Sequence, residues 1–130
     1  MLNKKQKKSL ITTVIGEDTS IKGEINSSHS IRIEGNFEGK ISIKGDVFIG
    51  YNSKVKADIL GNSIEVTGEV IGNMEALKSV VINKTGKVYG DIKGDRLVVH
   101  EGGIYRGKVL MDVLSSENRY EGQEEFKINS

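Results

Sequence analysis

Apolar residues recur along this chain in two short phrases that alternate with each other. The first has the form apolar–x–small–x–apolar and occurs six times: IKGEI from Ile21, FEGKI from Phe37, VKADI from Val55, VIGNM from Val70, VYGDI from Val88 and YRGKV from Tyr105. Its central column reads Gly23, Gly39, Ala57, Gly72, Gly90 and Gly107, and its last column reads Ile25, Ile41, Ile59, Met74, Ile92 and Val109. Successive copies are 16, 18, 15, 18 and 17 residues apart by that last column. The second phrase, apolar–x–apolar, falls between them at Ile31/Ile33, Val47/Ile49, Ile64/Val66, Val80/Ile82 and Leu97/Val99, with Thr13/Ile15 as a weaker first copy. Alternation with period two marks a strand with one buried face. A helical period does not hold over any useful window.

Self-similarity at so short a period predicts a solenoid. One unit of about 17 residues cannot bury its apolar face alone, so units must stack in register and turn each column into a ladder. Three straight sides of about six residues per unit predict an all-β fold: a single three-sided parallel β-helix of about six coils. At the strand spacing of about 4.8 Å, six coils make a rod roughly 25–30 Å tall. The corner between the two phrases is six residues at Ile15–Ile21, Ile49–Val55, Ile82–Val88 and Val99–Tyr105, and four at Ile33–Phe37 and Val66–Val70. An even change keeps each side chain on its own face. A glycine in every coil points to a narrow interior. On that reading Gly90→Val overpacks the core, and Gly90→Ala is tolerated because Ala57 already stands in the column.

Composition adjusts this picture in three ways. Of the 130 residues none is cysteine, which removes disulfides and thiolate metal sites, and none is proline, where average usage would give about six. Absence of proline suits strands paired on both edges. The net charge of +1 is unevenly spread: Lys4, Lys5, Lys7 and Lys8 put +4 in the first eight residues, residues 9–111 balance 13 acidic against 13 basic groups, and residues 112–130 carry −3. The expected organisation is a basic flexible tail over 1–11, the β-helix over 12–111 and an acidic flexible tail over 112–130. A balanced body excludes a nucleic-acid surface. The apolar stretch after the lysines is too short for a membrane span and has no small-residue cleavage site, so a cytoplasmic protein is expected.

Candidate chemistry is sparse. The two histidines, His29 and His100, lie about four coils apart and cannot share a metal, which needs about three protein ligands. Regular spacing leaves no long inserted loop for an active site, and the glycines follow a strand period rather than opening a helix as a phosphate cradle. No cofactor is implied.

The ends of the rod are more informative. A β-helix closes its sides but leaves unpaired edges at its first and last coils, and no capping helix is evident here. The first coil carries Val14, Ile15 and Ile21, and the last carries Ile104, Tyr105 and Val109, followed by Met111. Two uncovered ends on one rigid unit predict end-to-end assembly. Tyr105 breaks an aliphatic column in the last coil and is the expected end-contact residue, so that Tyr105→Arg is expected to abolish filaments while keeping the fold. At the other extreme Met1 and Leu2 offer an apolar foot beside Lys4, Lys5, Lys7 and Lys8, a pattern suited to an anionic membrane surface.

The run TVIGEDTSIKGEI…IRIEGNFEGKI…VFIGYNSKVKADI…IEVTGEVIGNM…VVINKTGKVYGDI…LVVHEGGIYRGKV resembles the bactofilins, bacterial polymer-forming cytoskeletal proteins, over about Thr12 to Met111. The resemblance rests on six glycine-centred coils, short length and short tails rather than on one motif; Ala57 and Leu2 are small departures. It implies a right-handed β-helix that forms filaments end to end without nucleotide, a basic N-terminal segment that holds them to the inner face of the cytoplasmic membrane, and scaffolding of cell-wall enzymes or cell shape. The partners so implied are other copies of the chain, the inner membrane surface, and cell-wall enzymes or membrane proteins. Two other classes stand beside it: a β-helical hexapeptide-type enzyme or its inactive relative, and a monomeric adaptor that binds a partner on a flat side.

Overall fold

The computed structural model describes residues 10–111 and 123–128. Every regular element is a strand: β1 (Ile11–Ile15), β2 (Ser20–Ser27), β3 (Ser30–Ile33), β4 (Asn36–Ile43), β5 (Val47–Ile49), β6 (Lys54–Val66), β7 (Glu69–Ile71), β8 (Met74–Ile82), β9 (Lys87–Tyr89), β10 (Ile92–Gly94), β11 (Arg96–Val99), β12 (Ile104–Met111) and β13 (Gln123–Ile128). All pairings through β12 are parallel and join residues one coil apart. The fold is a parallel β-solenoid of about 6 turns.

The register follows the two repeated phrases. Ile15, Ile33, Ile49, Val66 and Ile82 stack in one ladder, which Val99 completes. Ile21, Phe37, Val55, Val70, Val88 and Tyr105 form the second. Ile25, Ile41, Ile59, Met74, Ile92 and Val109 form the third. Together with a fourth ladder of Ile31, Val47, Ile64, Val80 and Leu97, these columns supply most of the buried core, which runs the length of the rod. β6 continues through more than one side, so the ladders join into one sheet rather than three separate ones.

Corner length selects corner geometry. Each of the four six-residue corners holds a tight turn, closed by Thr19 N–H to Gly16 O, Ser53 N–H to Gly50 O, Gly86 N–H to Asn83 O, and Gly103 N–H to His100 O, at 2.8–3.1 Å. Side chains satisfy the buried backbone between coils. The Ser53 hydroxyl donates to Gly35 O at 2.6 Å, and the Ser30 hydroxyl accepts from Asp46 N–H at 2.9 Å.

Three expectations need correction. The glycine column does not answer to a narrow interior. Gly23, Gly39, Gly72, Gly90 and Gly107 have φ between +138° and +153°, a region that L side chains rarely adopt. A Cβ on Gly90 would fall on the carbonyl oxygen of Gly72 in the coil before it, and Gly39, Gly72 and Gly107 meet their preceding coils in the same way. The barrier lies along the stack, not across the interior. Ala57 has no positive φ and is buried, so that rung alone turns its residue inward. Ala57 is therefore no template for alanine at Gly90.

The second correction concerns the acidic tail: residues 123–128, expected to be flexible, form β13, which pairs antiparallel with β12 from Tyr105↔Ile128 to Leu110↔Gln123. The third is the boundary of the rod, since Ile11 already belongs to β1. Residues 1–9, 112–122 and 129–130 of the expected tails lie outside the described residues.

Candidate functional site at the two ends of the rod

Among the described residues the first coil has one free edge along its whole length. β1 pairs only with β3 and β2 only with β4. Their outer N–H and C=O groups therefore present a strand-pairing template, as an edge strand does. Ile15 is buried beneath this edge, Ile21 and Ile25 are half-buried and lie against the core, and Val14 points outward with 61% of its surface exposed. Gly23 sits at the same end. Its glycine conformation repeats that of the other coils, yet among the described residues no coil precedes it and nothing lies within 4 Å of the place where a Cβ would stand. The end thus carries the apolar ladder and backbone shape of an interior coil without the neighbour that an interior coil has.

The opposite end differs. β11 pairs only with β8, leaving Arg96–Val99 with one free edge. β12 is paired on both edges: with β9 and β10 inside the rod, and with β13 outside. Ile104 is half-buried and Val109 buried. Of Met111 only the backbone pairing with Gly94 is described.

Tyr105 is not an end-contact side chain. Its ring is fully buried in the second ladder, above Val88, with its hydroxyl 2.9 Å from Gly90 O and 2.8 Å from Lys108 O. The hydroxyl thus lies between a carbonyl of its own coil and one of the coil before it. Burial pushes the phenol well above the usual tyrosine range; the Asp91 carboxylate adds to the rise, and a backbone hydrogen bond at Ile92 opposes it. At this pKa the group is neutral and serves as a donor.

The end sets nominated from sequence thus fall at opposite poles of the rod: Val14, Ile15 and Ile21 at one, and Ile104, Tyr105 and Val109 at the other. Ile25, Leu97 and Val99 belong to the same end coils. Their columns identify them once the coil boundaries are drawn. Met1, Leu2, Lys4, Lys5, Lys7 and Lys8 lie outside the described residues. His29 and His100 are both exposed, and among the described residues no group of three His, Asp or Glu side chains is placed to hold a metal. No helix among those residues is long and apolar enough to cross a membrane.

Known proteins share this architecture. The family model described as "Bactofilin: Polymer-forming cytoskeletal" matches residues 13–110. Bactofilin BacO of Myxococcus xanthus (strain DK1622) is 36% identical over 104 residues, which cover 80% of this chain and 82% of that protein. Bactofilin BacN of the same organism is 39% identical over 102 residues, covering 78% and 90%. Among solved structures, the cryo-EM reconstruction of Thermus thermophilus bactofilin double helical filaments superposes with a TM-score of 0.74 at 27% identity, over 78% of this chain and all of that one. With this match running through every coil of the rod, the chain belongs to the bactofilin family of polymer-forming cytoskeletal proteins.

Proposed function

We propose that this chain is a filament subunit that assembles end to end without nucleotide and works as a scaffold beneath the cytoplasmic membrane. The observation that carries the reading is the first coil: a parallel edge with an unpaired backbone, a continuous apolar ladder and an empty place over Gly23. A second rod set against that edge pairs backbone groups that otherwise face water, and extends the buried ladders. The Thermus thermophilus relative forms double helical filaments, which supports the same outcome here. An enzymatic role is not part of this reading, since the family is a structural polymer.

Sedimentation and negative-stain electron microscopy of the purified full chain, without nucleotide, test assembly. Filaments that pellet are expected; a discrete small species at micromolar concentration would overturn the proposal and favour a monomeric adaptor.

The membrane role rests on Lys4, Lys5, Lys7 and Lys8 beside Met1 and Leu2. Each lysine near an anionic leaflet contributes about 1 kcal/mol, so four give roughly 4 kcal/mol at best. A filament multiplies this weak attachment because every subunit brings its own segment. Flotation with anionic liposomes should carry the full chain, and the chain lacking residues 1–8 should stay at the bottom. Equal flotation of both removes the membrane from the function. A filament held in this way positions cell-wall enzymes or supports cell shape.

A further inference from the structure

One outward column of the rod has an order of charges that is its own complement when reversed. Glu24, Lys40 and Asp58 are register partners in successive coils. The column continues through side-chain caps: Asp58 Oδ1 accepts from Asn73 N–H at 3.1 Å, Asn73 Oδ1 from Asp91 N–H at 3.0 Å, and Asp91 Oδ1 from Lys108 N–H at 3.2 Å. All six residues are exposed and line one wall of a shallow groove that runs along the rod. From first coil to last the column reads minus, plus, minus, neutral, minus, plus.

Two copies laid side by side in opposite directions, with a two-fold axis between the Asp58 and Asn73 rungs, bring Glu24 opposite Lys108 and Lys40 opposite Asp91. Symmetry makes each pair twice, and the central rungs set Asp58 against Asn73. No like charges meet. Both rods have the same strand spacing of about 4.8 Å, so the rungs stay aligned along the contact. Side by side in the same direction, five of the six rungs would oppose identical charges. The neighbouring outward column, Lys22, Glu38, Lys56, Ile71, Tyr89 and Arg106, lacks this property, because reversal sets Lys22 against Arg106. The side chains of Glu24, Lys40 and Lys108 make no hydrogen bond or ion pair among the described residues, so these charges are available.

We infer that the face bearing Glu24, Lys40, Asp58, Asn73, Asp91 and Lys108 pairs laterally with the same face of a second copy of this chain running antiparallel. This contact is perpendicular to the end-to-end one. It rests on the filament reading only for its repetition along a strand, where many weak exposed pairs act together.

The test uses the full chain as wild type, Glu24→Lys, Lys108→Glu and the double variant. Glu24 and Lys108 are exposed, and among the described residues neither side chain makes a hydrogen bond or ion pair that a variant would remove. Strand width is read by negative-stain microscopy and mass by sedimentation at about 0.1 M and about 1 M salt, where the screening length falls from about 10 Å to about 3 Å. Paired strands are expected for wild type at the lower salt, their loss in either single variant, and their return in the double variant. Wild type should separate into single strands at the higher salt. Single variants that pair like wild type, as a parallel contact or a groove occupied by another peptide would allow, overturn the inference. So does a double variant that stays single. If the chain fails to elongate at all, the end-to-end reading fails, while paired short rods in sedimentation would still report the lateral contact.

Discussion

Gly90 stands directly over Gly72, so that a Cβ on Gly90 would occupy the place of the Gly72 carbonyl oxygen. The backbone there has φ of +143°. Strain at such a position costs about 1–3 kcal/mol before any clash is counted. Gly90→Ala should therefore lower stability by at least about 2 kcal/mol, and Gly90→Val by more, measured by denaturant unfolding. Ala57→Gly, at a rung with ordinary strand conformation, should cost only about 0.5–1 kcal/mol from backbone entropy. Equal effects of Gly90→Ala and Ala57→Gly would show that the column is uniform after all.

Gly23 shares the conformation but not the neighbour. Its φ is +145° and nothing lies within 4 Å of a Cβ placed there. Gly23→Ala should cost the strain alone and so destabilise the isolated rod less than Gly90→Ala. The added methyl projects into the place of an incoming coil, so the variant should reduce the pelleted fraction in a filament assay. Normal filament yield would place the end contact away from this coil.

Tyr105 makes stability depend on alkaline pH. Its phenol is raised in the folded state above the ordinary value of about 10. The native chain thus holds the proton more tightly than the unfolded one. That contribution is complete below about pH 10 and is lost as pH rises from there through the folded value. Tyr105→Phe should flatten this part of the pH profile, and should lower stability near neutral pH by about 1–2 kcal/mol because buried carbonyls lose their donor. Thermal melts of both proteins between pH 8 and pH 11 supply the comparison. Tyr105→Arg buries a charge in the last coil and is expected to unfold it, which replaces the expectation of an intact fold without filaments.

β13 occupies the outer edge of β12, opposite residues Tyr105–Leu110. A strand there competes with any chain that would pair on that edge. Deleting residues 115–130 should lower the protein concentration at which sedimentation begins. A higher threshold would mean that this strand is part of the contact.

The columns of this fold are readable in one dimension because each coil repeats the demands of the last. Ile25, Ile41, Ile59, Met74, Ile92 and Val109 recur at near-constant spacing since each must fill the same place on the axis. The six-residue corners at Ile15–Ile21 and Ile49–Val55 are readable too, as their extra residues close tight turns. The column in which Gly61 pairs with the buried Ala76 is not readable in this way. Its members differ in size and polarity, so no phrase repeats.

By itself the sequence determined the period, the inward columns and the parallel stacking, because these follow from alternation and from the need of short repeats to bury their faces together. Only the tertiary structure decided the direction of each glycine, the burial of Tyr105 and the strand lying on β12. A Cβ at Gly90 is forbidden by a carbonyl one coil away, and the Tyr105 hydroxyl finds its partners in Gly90 and Lys108. The contacts of Gly90 with Gly72 and of Tyr105 with Gly90 join residues about 18 and 15 positions apart along the rod axis, a direction that exists only once the coils are stacked.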